Sequence, residues 1–191
     1  VWGGNVFPPM LFSHDPATGT VVNYGNVTPA SGEIYSIAVS GEKVYAASYT
    51  GAVLTRFTPD APWVVEAGVH ANPAQLGMMK TEGLPLHRPR GEAVAPDGAV
   101  FFSAVGSYGC EDSGVCRIDP ATDRVTRWVY PDRDIESICY LPGLEQLVCS
   151  DSRKGEHAVR FTFLDPRTGA ILSDEVAIPD DGAVYSWLYD G

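Results

Sequence analysis

A short turn sequence recurs along the chain, and it constrains the fold more than any other feature. Three copies with the pattern Asp-Pro-x-Thr-Gly or Asp-Pro-x-Thr-Asp begin at Asp15, Asp119 and Asp165, and a degenerate copy begins at Thr58. In such a turn the Asp accepts backbone hydrogen bonds, Pro presets φ, and the last residue tolerates the left-handed conformation. The repeat therefore predicts four similar β-hairpins.

The segments around these turns alternate between apolar and polar residues, as in Met10–His14 before the first turn and Val125–Val129 after the second. Further strand-like pairs lie upstream of the turns, for example Ile34–Ser40 followed by Val44–Ser48. Only the short stretch 74–80 is a helical candidate. A period of two residues with Gly and Pro between segments is typical of all-β proteins. The hairpin around each turn and the strand-like pair upstream of it together give four strands in roughly 45 residues, the size of a propeller blade.

We therefore predict an all-β fold, a single β-propeller domain over residues 1–191 with four blades of four antiparallel strands. The predicted blades are A (183–191 with 1–28), B (33–68), C (90–131) and D (135–178). The C-terminal strand, 183–189, is expected to pair with the N-terminal strand, 1–5, because this pairing closes the ring and removes a free sheet edge. The alternative is a four-blade portion of a larger propeller.

Composition excludes several classes of protein. The chain has 13 Lys and Arg against 24 Asp and Glu, a net charge of −11, and 45% hydrophobic residues. A dedicated nucleic-acid binder needs a basic face, and a disordered acidic tail lacks this apolar content. The acidic charge balance therefore predicts no nucleic-acid partner. No run of 18 apolar residues occurs, so we also expect no membrane insertion.

The cysteines fall into two local pairs, Cys110 with Cys116 and Cys139 with Cys149. Their spacing predicts two disulfides and a secreted or periplasmic location, with four reduced thiols as the alternative. The spacing does not match a zinc site. The chain begins with Val1 rather than Met, which is expected after removal of a leader or in a piece of a longer protein.

The segment 87–98 reads His-Arg-Pro-Arg-Gly-Glu-Ala-Val-Ala-Pro-Asp-Gly. This segment and the turns at Asp15, Asp119 and Asp165 resemble the blades of bacterial propellers of the NHL-repeat and virginiamycin B lyase-like superfamily. The resemblance covers nearly the whole chain and implies a fold shared by lyases, lactonases and interaction modules. For the lyases it implies a channel histidine, here His87, and a divalent cation on the propeller axis; the residues themselves predict no cofactor and no metal site.

In such propellers the connections between second and third strands, and those between blades, gather on one face, which we call the loop-rich face. The longest predicted connections are 69–89, 105–114 and 151–157, and loops of this length are often functional. Aromatic rings and charges together suit a polar ligand. The predicted ligand-binding residues of this face are Tyr35, His70, His87, Arg88, Arg90, Tyr108, Asp151, Arg153 and Tyr185.

We predict an extracytoplasmic binding or interaction module that recognises a polar small molecule, a glycan or a protein at this face. One alternative is a lyase or hydrolase with His87, Glu92 and Arg90 at the channel mouth as catalytic candidates. Glu92 replaces an apolar residue, so it is expected either to have a partner such as Arg90 or Arg88 or to have a raised pKa. A second alternative is a structural part of a larger propeller.

Overall fold

The computed structural model describes residues 1–65 and 71–179, in which all regular secondary structure is β-strand. The first antiparallel sheet contains β1 (Trp2–Gly4), β2 (Met10–His14) and β3 (Val21–Asn26). The second contains β4 (Ile34–Ser40), β5 (Lys43–Ser48), β6 (Val53–Phe57) and β7 (Ala74–Met78). The third contains β8 (Leu86–Val94), β9 (Val100–Gly106), β10 (Ser113–Ile118) and β11 (Val125–Tyr130). The fourth contains β12 (Arg133–Leu141), β13 (Gln146–Arg153), β14 (Ala158–Leu164) and β15 (Ile171–Pro179).

The predicted turn repeat forms the last hairpin of the first, third and fourth sheets. In each copy the side chain of the Asp (Asp15, Asp119 or Asp165) accepts a hydrogen bond from the N–H two residues later, at 2.8 to 2.9 Å. The fifth residue of each turn has a positive φ: 72° at Gly19, 57° at Asp123 and 72° at Gly169. The repeated turn therefore has the predicted chemistry and joins neighbouring strands of each sheet.

The four sheets are arranged as consecutive propeller blades, and each packs a buried apolar face against the next. The three cores include Leu11 and Phe57, then Tyr45 and Phe102, then Phe101 and Leu147. The first strands β4, β8 and β12 lie side by side. Within the described ranges, no comparable packing joins the fourth sheet to the first. The strand 183–189, which we expect to close the ring, lies outside the described residues.

The fourth strand of the second blade is β7, which lies beyond the predicted end of this blade at residue 68. The side-chain amide of Asn72 donates to the carbonyls of Thr58, Ala61 and Pro62 and holds the chain before β7 in a loop. The blade therefore extends to Met78 instead of ending at 68. The helical candidate 74–80 is wrong, and β7 with the first part of β8 occupies much of the expected long connection 69–89.

The predicted disulfides are wrong, since all four cysteines are free. In the β12–β13 ladder Cys149 lies opposite Ile138, and Cys139 lies opposite Val148. This offset of one residue puts the two thiols on opposite faces of the sheet. Cys116 is buried within β10, whereas Cys110 is half-buried in the preceding loop. The predicted secreted or periplasmic location was based on these disulfides, so the cysteines no longer support it.

Candidate ligand-binding site

Strand register defines the loop-rich face. In the last three blades the first strand begins opposite the end of the second: Ile34 pairs with Ser48, Leu86 with Gly106, and Arg133 with Arg153. The loops that follow β5, β9 and β13 consequently lie at one end of the blades, as the sequence predicts. The side chains that converge there come from neighbouring blades.

Five side chains at this face form what we call the tyrosine–arginine cluster: Tyr35, Tyr49, His87, Arg88 and Tyr108. The guanidinium carbon of Arg88 lies 5.9 Å from the ring centroid of Tyr35, 5.2 Å from that of Tyr49 and 5.8 Å from that of Tyr108. These distances are typical of cation–π contacts. The ring of His87 meets that of Tyr49 edge-on at 5.0 Å. The cluster therefore surrounds one cation with aromatic surface.

Local backbone structure sets the positions of these residues. Tyr35 is the second residue of β4, and Tyr49 follows the end of β5 directly. The pairing of β8 with β9 shifts register between Leu86 and Arg88, and such an irregularity redirects side chains at the end of a strand. The carbonyl of His87 accepts hydrogen bonds from the N–H groups of residues 51 and 52, at 3.0 and 3.1 Å. These bonds fix the start of β8 to the β5–β6 loop of the preceding blade.

The cluster opens onto a cleft of about 180 Å³ that is lined by Tyr49, His87, Arg88, Arg90, Asp134 and the loop 105–110. Tyr35 is 40% exposed and Tyr108 is 90% exposed, so both rings retain surface for a ligand. Burial of the His87 ring, with the cations Lys80 and Arg88 nearby, holds the pKa of His87 below its usual value. The Nδ1 atom of His87 is buried and has no hydrogen-bond partner in the described part of the chain.

Acidic residues of the first strands β8 and β12 form what we call the channel-side wall: Glu92, Asp134 and Glu136, of which Asp134 lines the cleft. Arg90 Nε lies 3.3 Å from the carboxylate of Glu136. Burial raises the pKa of Glu136 and of Asp134, and the Arg90 cation partly offsets this effect in both. Glu92 is partly exposed, yet the surrounding protein raises its pKa, with the Ser36 hydroxyl acting in the opposite direction. The expected pairing with Arg90 or Arg88 does not occur, since Arg90 pairs with Glu136, and the structure supports the alternative of a raised pKa.

Two other predicted binding residues, Asp151 and Arg153, belong to a separate group in the fourth blade. This arginine–carboxylate network consists of Arg133, Asp151, Arg153, Arg160 and Asp174. Arg133 contacts the carboxylates of Asp151 at 2.6 Å and Asp174 at 2.8 Å, and Arg160 contacts Asp174 at 3.1 Å. Arg153 also pairs with Asp174, and Asp151 is buried. The network ties four strands together and is not part of the cleft.

The catalytic candidates His87, Arg90 and Glu92 all lie on β8, but no hydrogen bond joins them in residues 1–65 and 71–179. Each contacts a different neighbour: Tyr49, Glu136 and Ser36 respectively.

No group of three or more His, Cys, Asp or Glu residues that could hold a metal ion occurs among the described residues. The same residues contain no helix that could span a bilayer. His70 and Tyr185 lie outside the described residues.

Sequence reasoning missed Tyr49 and Asp134. A signal for Tyr49 was present, because a residue that follows β5 must lie near the start of the antiparallel strand β4, where Tyr35 is located. Asp134 and Glu136 occur at the start of β12, which corresponds to the segment of β8 that carries Arg88 and Arg90. The alignment of the blades that puts Glu136 at the channel mouth with Arg90 would also have placed Asp134 beside Arg88.

Comparison with known proteins supports the fold. No protein-family model and no curated protein matches the chain. The solved structure of the Dos1 propeller is similar, with 14% sequence identity and a TM-score of 0.53 over 92% of this chain and 45% of that one. A mutant of the apocarotenoid oxygenase of Synechocystis matches with 13% identity and a TM-score of 0.38, over 75% of this chain and 34% of that one. The chain thus has a propeller fold and spans less than half the length of the Dos1 propeller structure.

Proposed function

We propose that this chain is a binding module that holds a polar ligand at the tyrosine–arginine cluster on its loop-rich face. The observation that carries the proposal is the grouping of three tyrosine rings around one guanidinium at the mouth of a cleft. Exposed aromatic faces stack on sugar rings or apolar ligand surfaces, and a small number of polar groups fixes orientation. A small molecule, or one unit of a glycan or a protein, fits this description.

The arrangement favours binding over catalysis. Activation of one catalytic side chain by another requires the two to lie within hydrogen-bond reach, and His87, Arg90 and Glu92 have separate partners. Binding requires only surfaces and donors held in place. The bonds from the β5–β6 loop to the His87 carbonyl and the aromatic contacts of Arg88 supply this order.

Saturation-transfer NMR with a panel of neutral and acidic monosaccharides and N-acetylated amino acids tests the proposal. We expect saturation transfer to at least one panel member, and its loss in the double variant Tyr35→Ala with Tyr108→Ala. Leu144→Ala is the matched control, since Leu144 is 58% exposed and lies in the β12–β13 turn at the opposite end of its blade. Transfer that is unchanged in the double variant, or absent from the whole panel, contradicts the proposal.

A second proposal concerns the assembly, in which these blades form an arc of a larger ring. The packing of β4, β8 and β12 without a comparable contact from the fourth sheet to the first, within the described ranges, favours it. The 45% coverage of the Dos1 propeller agrees with it. Light scattering of the chain and the intact mass of the natural protein provide the test. A mass well above that of 191 residues supports the proposal, whereas a monomer of one chain in both measurements contradicts it.

A further inference from the structure

Arg88 differs from the other arginines of this face in having no carboxylate partner among the described residues. Arg90, Arg133, Arg153 and Lys154 of the same face each lie within 4 Å of a carboxylate. In the described part of the chain, no carboxylate lies within that distance of Arg88. The chain carries 24 acidic residues, so an unpaired guanidinium is not explained by a shortage of partners.

The electrostatic surroundings of the cluster are positive at its outer end, although the chain as a whole is acidic. The charged groups that act on the neighbouring His87 are both cations, Lys80 and Arg88. Of the nearby carboxylates, Glu136 pairs with Arg90 and also acts on Arg88, and Asp134 lines the cleft. Neither lies within 4 Å of Arg88.

The aromatic rings also leave the hydrogen-bond donors of Arg88 available. A guanidinium has five N–H donors arranged in a planar fork, and this fork matches the two oxygens of a carboxylate. Arg88 donates to the hydroxyl of Tyr108 at 3.3 Å, and it interacts with the hydroxyl of Tyr49 and with the rings of Tyr35 and Tyr49. These contacts leave part of the fork for a ligand. The rings limit the rotation of the side chain, which reduces the entropy lost when a ligand binds.

The cleft is small. Its volume of about 180 Å³ is below the roughly 300–1,000 Å³ that is usual for sites that enclose a drug-sized ligand. It therefore has room for one monomer-sized unit, and the exposed ring of Tyr108 leaves the remainder of a longer ligand outside.

We propose that the ligand of this cleft presents a carboxylate to Arg88, carried on a unit the size of a single sugar or amino acid. This inference rests on the proposed binding function and names the group that the cluster recognises. Two sources supply such a group: an acidic sugar of the uronic-acid type and an acidic amino-acid side chain. In either case the carboxylate accepts from the Arg88 fork while the body of the unit lies against a tyrosine ring.

Two matched ligand series test the inference by titration followed with NMR of the protein, including the arginine Nε–H signals. The sugar series is glucuronate, glucose and glucose 6-phosphate, which share a ring and differ in the group at one carbon. The amino-acid series is N-acetylglutamate and N-acetylglutamine. We expect the carboxylate member of one series to shift the Arg88 signal and to bind about tenfold more tightly than its neutral counterpart. Which series responds identifies the source.

Three variants provide the protein side of the test. Arg88→Gln should weaken binding of the carboxylate ligand by about tenfold or more, and Arg88→Lys should restore only part of it, because the ammonium keeps the charge without the fork. Arg124→Gln is the matched control, since it removes the same charge from an exposed position on the Asp119 turn. It should leave affinity unchanged.

The outcomes separate this inference from the proposed function. If neutral and acidic members bind equally and Arg88→Gln retains affinity while Tyr35→Ala with Tyr108→Ala abolishes it, the carboxylate inference is wrong and the binding function stands. Tighter binding of glucose 6-phosphate than of either carboxylate also overturns the inference. The absence of binding by every member overturns both.

Discussion

The tyrosine–arginine cluster and the arginine–carboxylate network lie on the same face of neighbouring blades, and both contain arginines at strand ends. In the network, three arginines share the carboxylates of Asp151 and Asp174. In the cluster, Arg88 contacts three rings and no carboxylate within 4 Å among the described residues. An arginine that pairs with a carboxylate therefore stabilises its blade, whereas an arginine that contacts only aromatic residues is available to a ligand.

Burial reinforces the difference. The side chain of Asp151 is fully buried and that of Arg133 is 12% exposed, and burial raises the pKa of Asp151 while Arg133 opposes the change. Removal of one partner from such a pair is costly, because it leaves a desolvated charge without compensation. Tyr108 and Tyr35, in contrast, keep much of their surface in water. Substitutions should therefore affect stability in the network and binding in the cluster.

The largest effect is expected for Arg133→Met. This substitution leaves Asp151 buried without its arginine and should lower the free energy of unfolding by about 3–4 kcal/mol. Urea denaturation followed by circular dichroism measures the change. Arg167→Met is the control at an exposed position and should change stability by less than about 0.5 kcal/mol. If both variants lose the same small amount of unfolding free energy, Arg133 contributes no more to stability than an exposed arginine does.

Gly91→Ala tests the joint between the third blade, which carries Arg88, and the fourth blade, which carries the network. A Cβ at Gly91 would lie 2.8 Å from the backbone nitrogen of Ile138, so β8 and β12 must move apart to admit it. We expect a loss of about 1–3 kcal/mol, the usual cost of overpacking. Gly143→Ala serves as the control, since nothing lies within 4 Å of its added Cβ. Similar stabilities of the two variants in urea would contradict the close approach.

Arg88→Gln should have a smaller effect on stability than on binding. It removes cation–π contacts at a partly exposed position, which are worth about 0.5–1 kcal/mol in total. The denaturation midpoint in urea measures this loss directly, with Arg133→Met as the reference. A destabilisation as large as that of Arg133→Met would place Arg88 among the structural arginines and remove the distinction between the two groups.

The smallest effect is expected for Glu92→Gln and concerns the channel-side wall. Because the folded protein raises the pKa of Glu92, the stabilising contribution of the group is present at acid pH and is lost as pH rises through the folded pKa. The neutral variant should therefore unfold at a higher temperature than the parent near pH 7.5, by on the order of 1 °C, and the gap should close near pH 4. Glu82→Gln, at an exposed position, is the control for thermal unfolding at both pH values. A gap that widens towards acid pH contradicts the direction of the shift.

The sequence contained most of the fold because its signals were local. The turn at Asp165 and its relatives specify hairpins through their own side chains, and the alternation of residues specifies strands. The incorrect predictions concern features that depend on contacts between residues far apart in the chain. Hydrogen bonds from Asn72 to the carbonyls of residues 58 and 61 hold the intervening chain in a loop, so the fourth strand of the second blade is β7. In the fourth blade the β12–β13 ladder places Cys149 one residue away from the register required to face Cys139.

The candidate site was predictable in part for the same reason. Tyr35, His87, Arg88 and Tyr108 were identified from strand position and residue type, and the structure brings them together. Arg153 shares those properties but is committed to Asp174. Composition could not distinguish these cases, because the pairing of a charge depends on strands that are far apart in the chain.

The tyrosine–arginine cluster draws its members from two repeats. Tyr35 and Tyr49 come from the second blade, and His87, Arg88 and Tyr108 come from the third. Neither blade carries the complete cluster, so grafting one of them into another propeller transfers half of the proposed binding surface. The smallest unit that contains the complete cluster is a pair of adjacent blades.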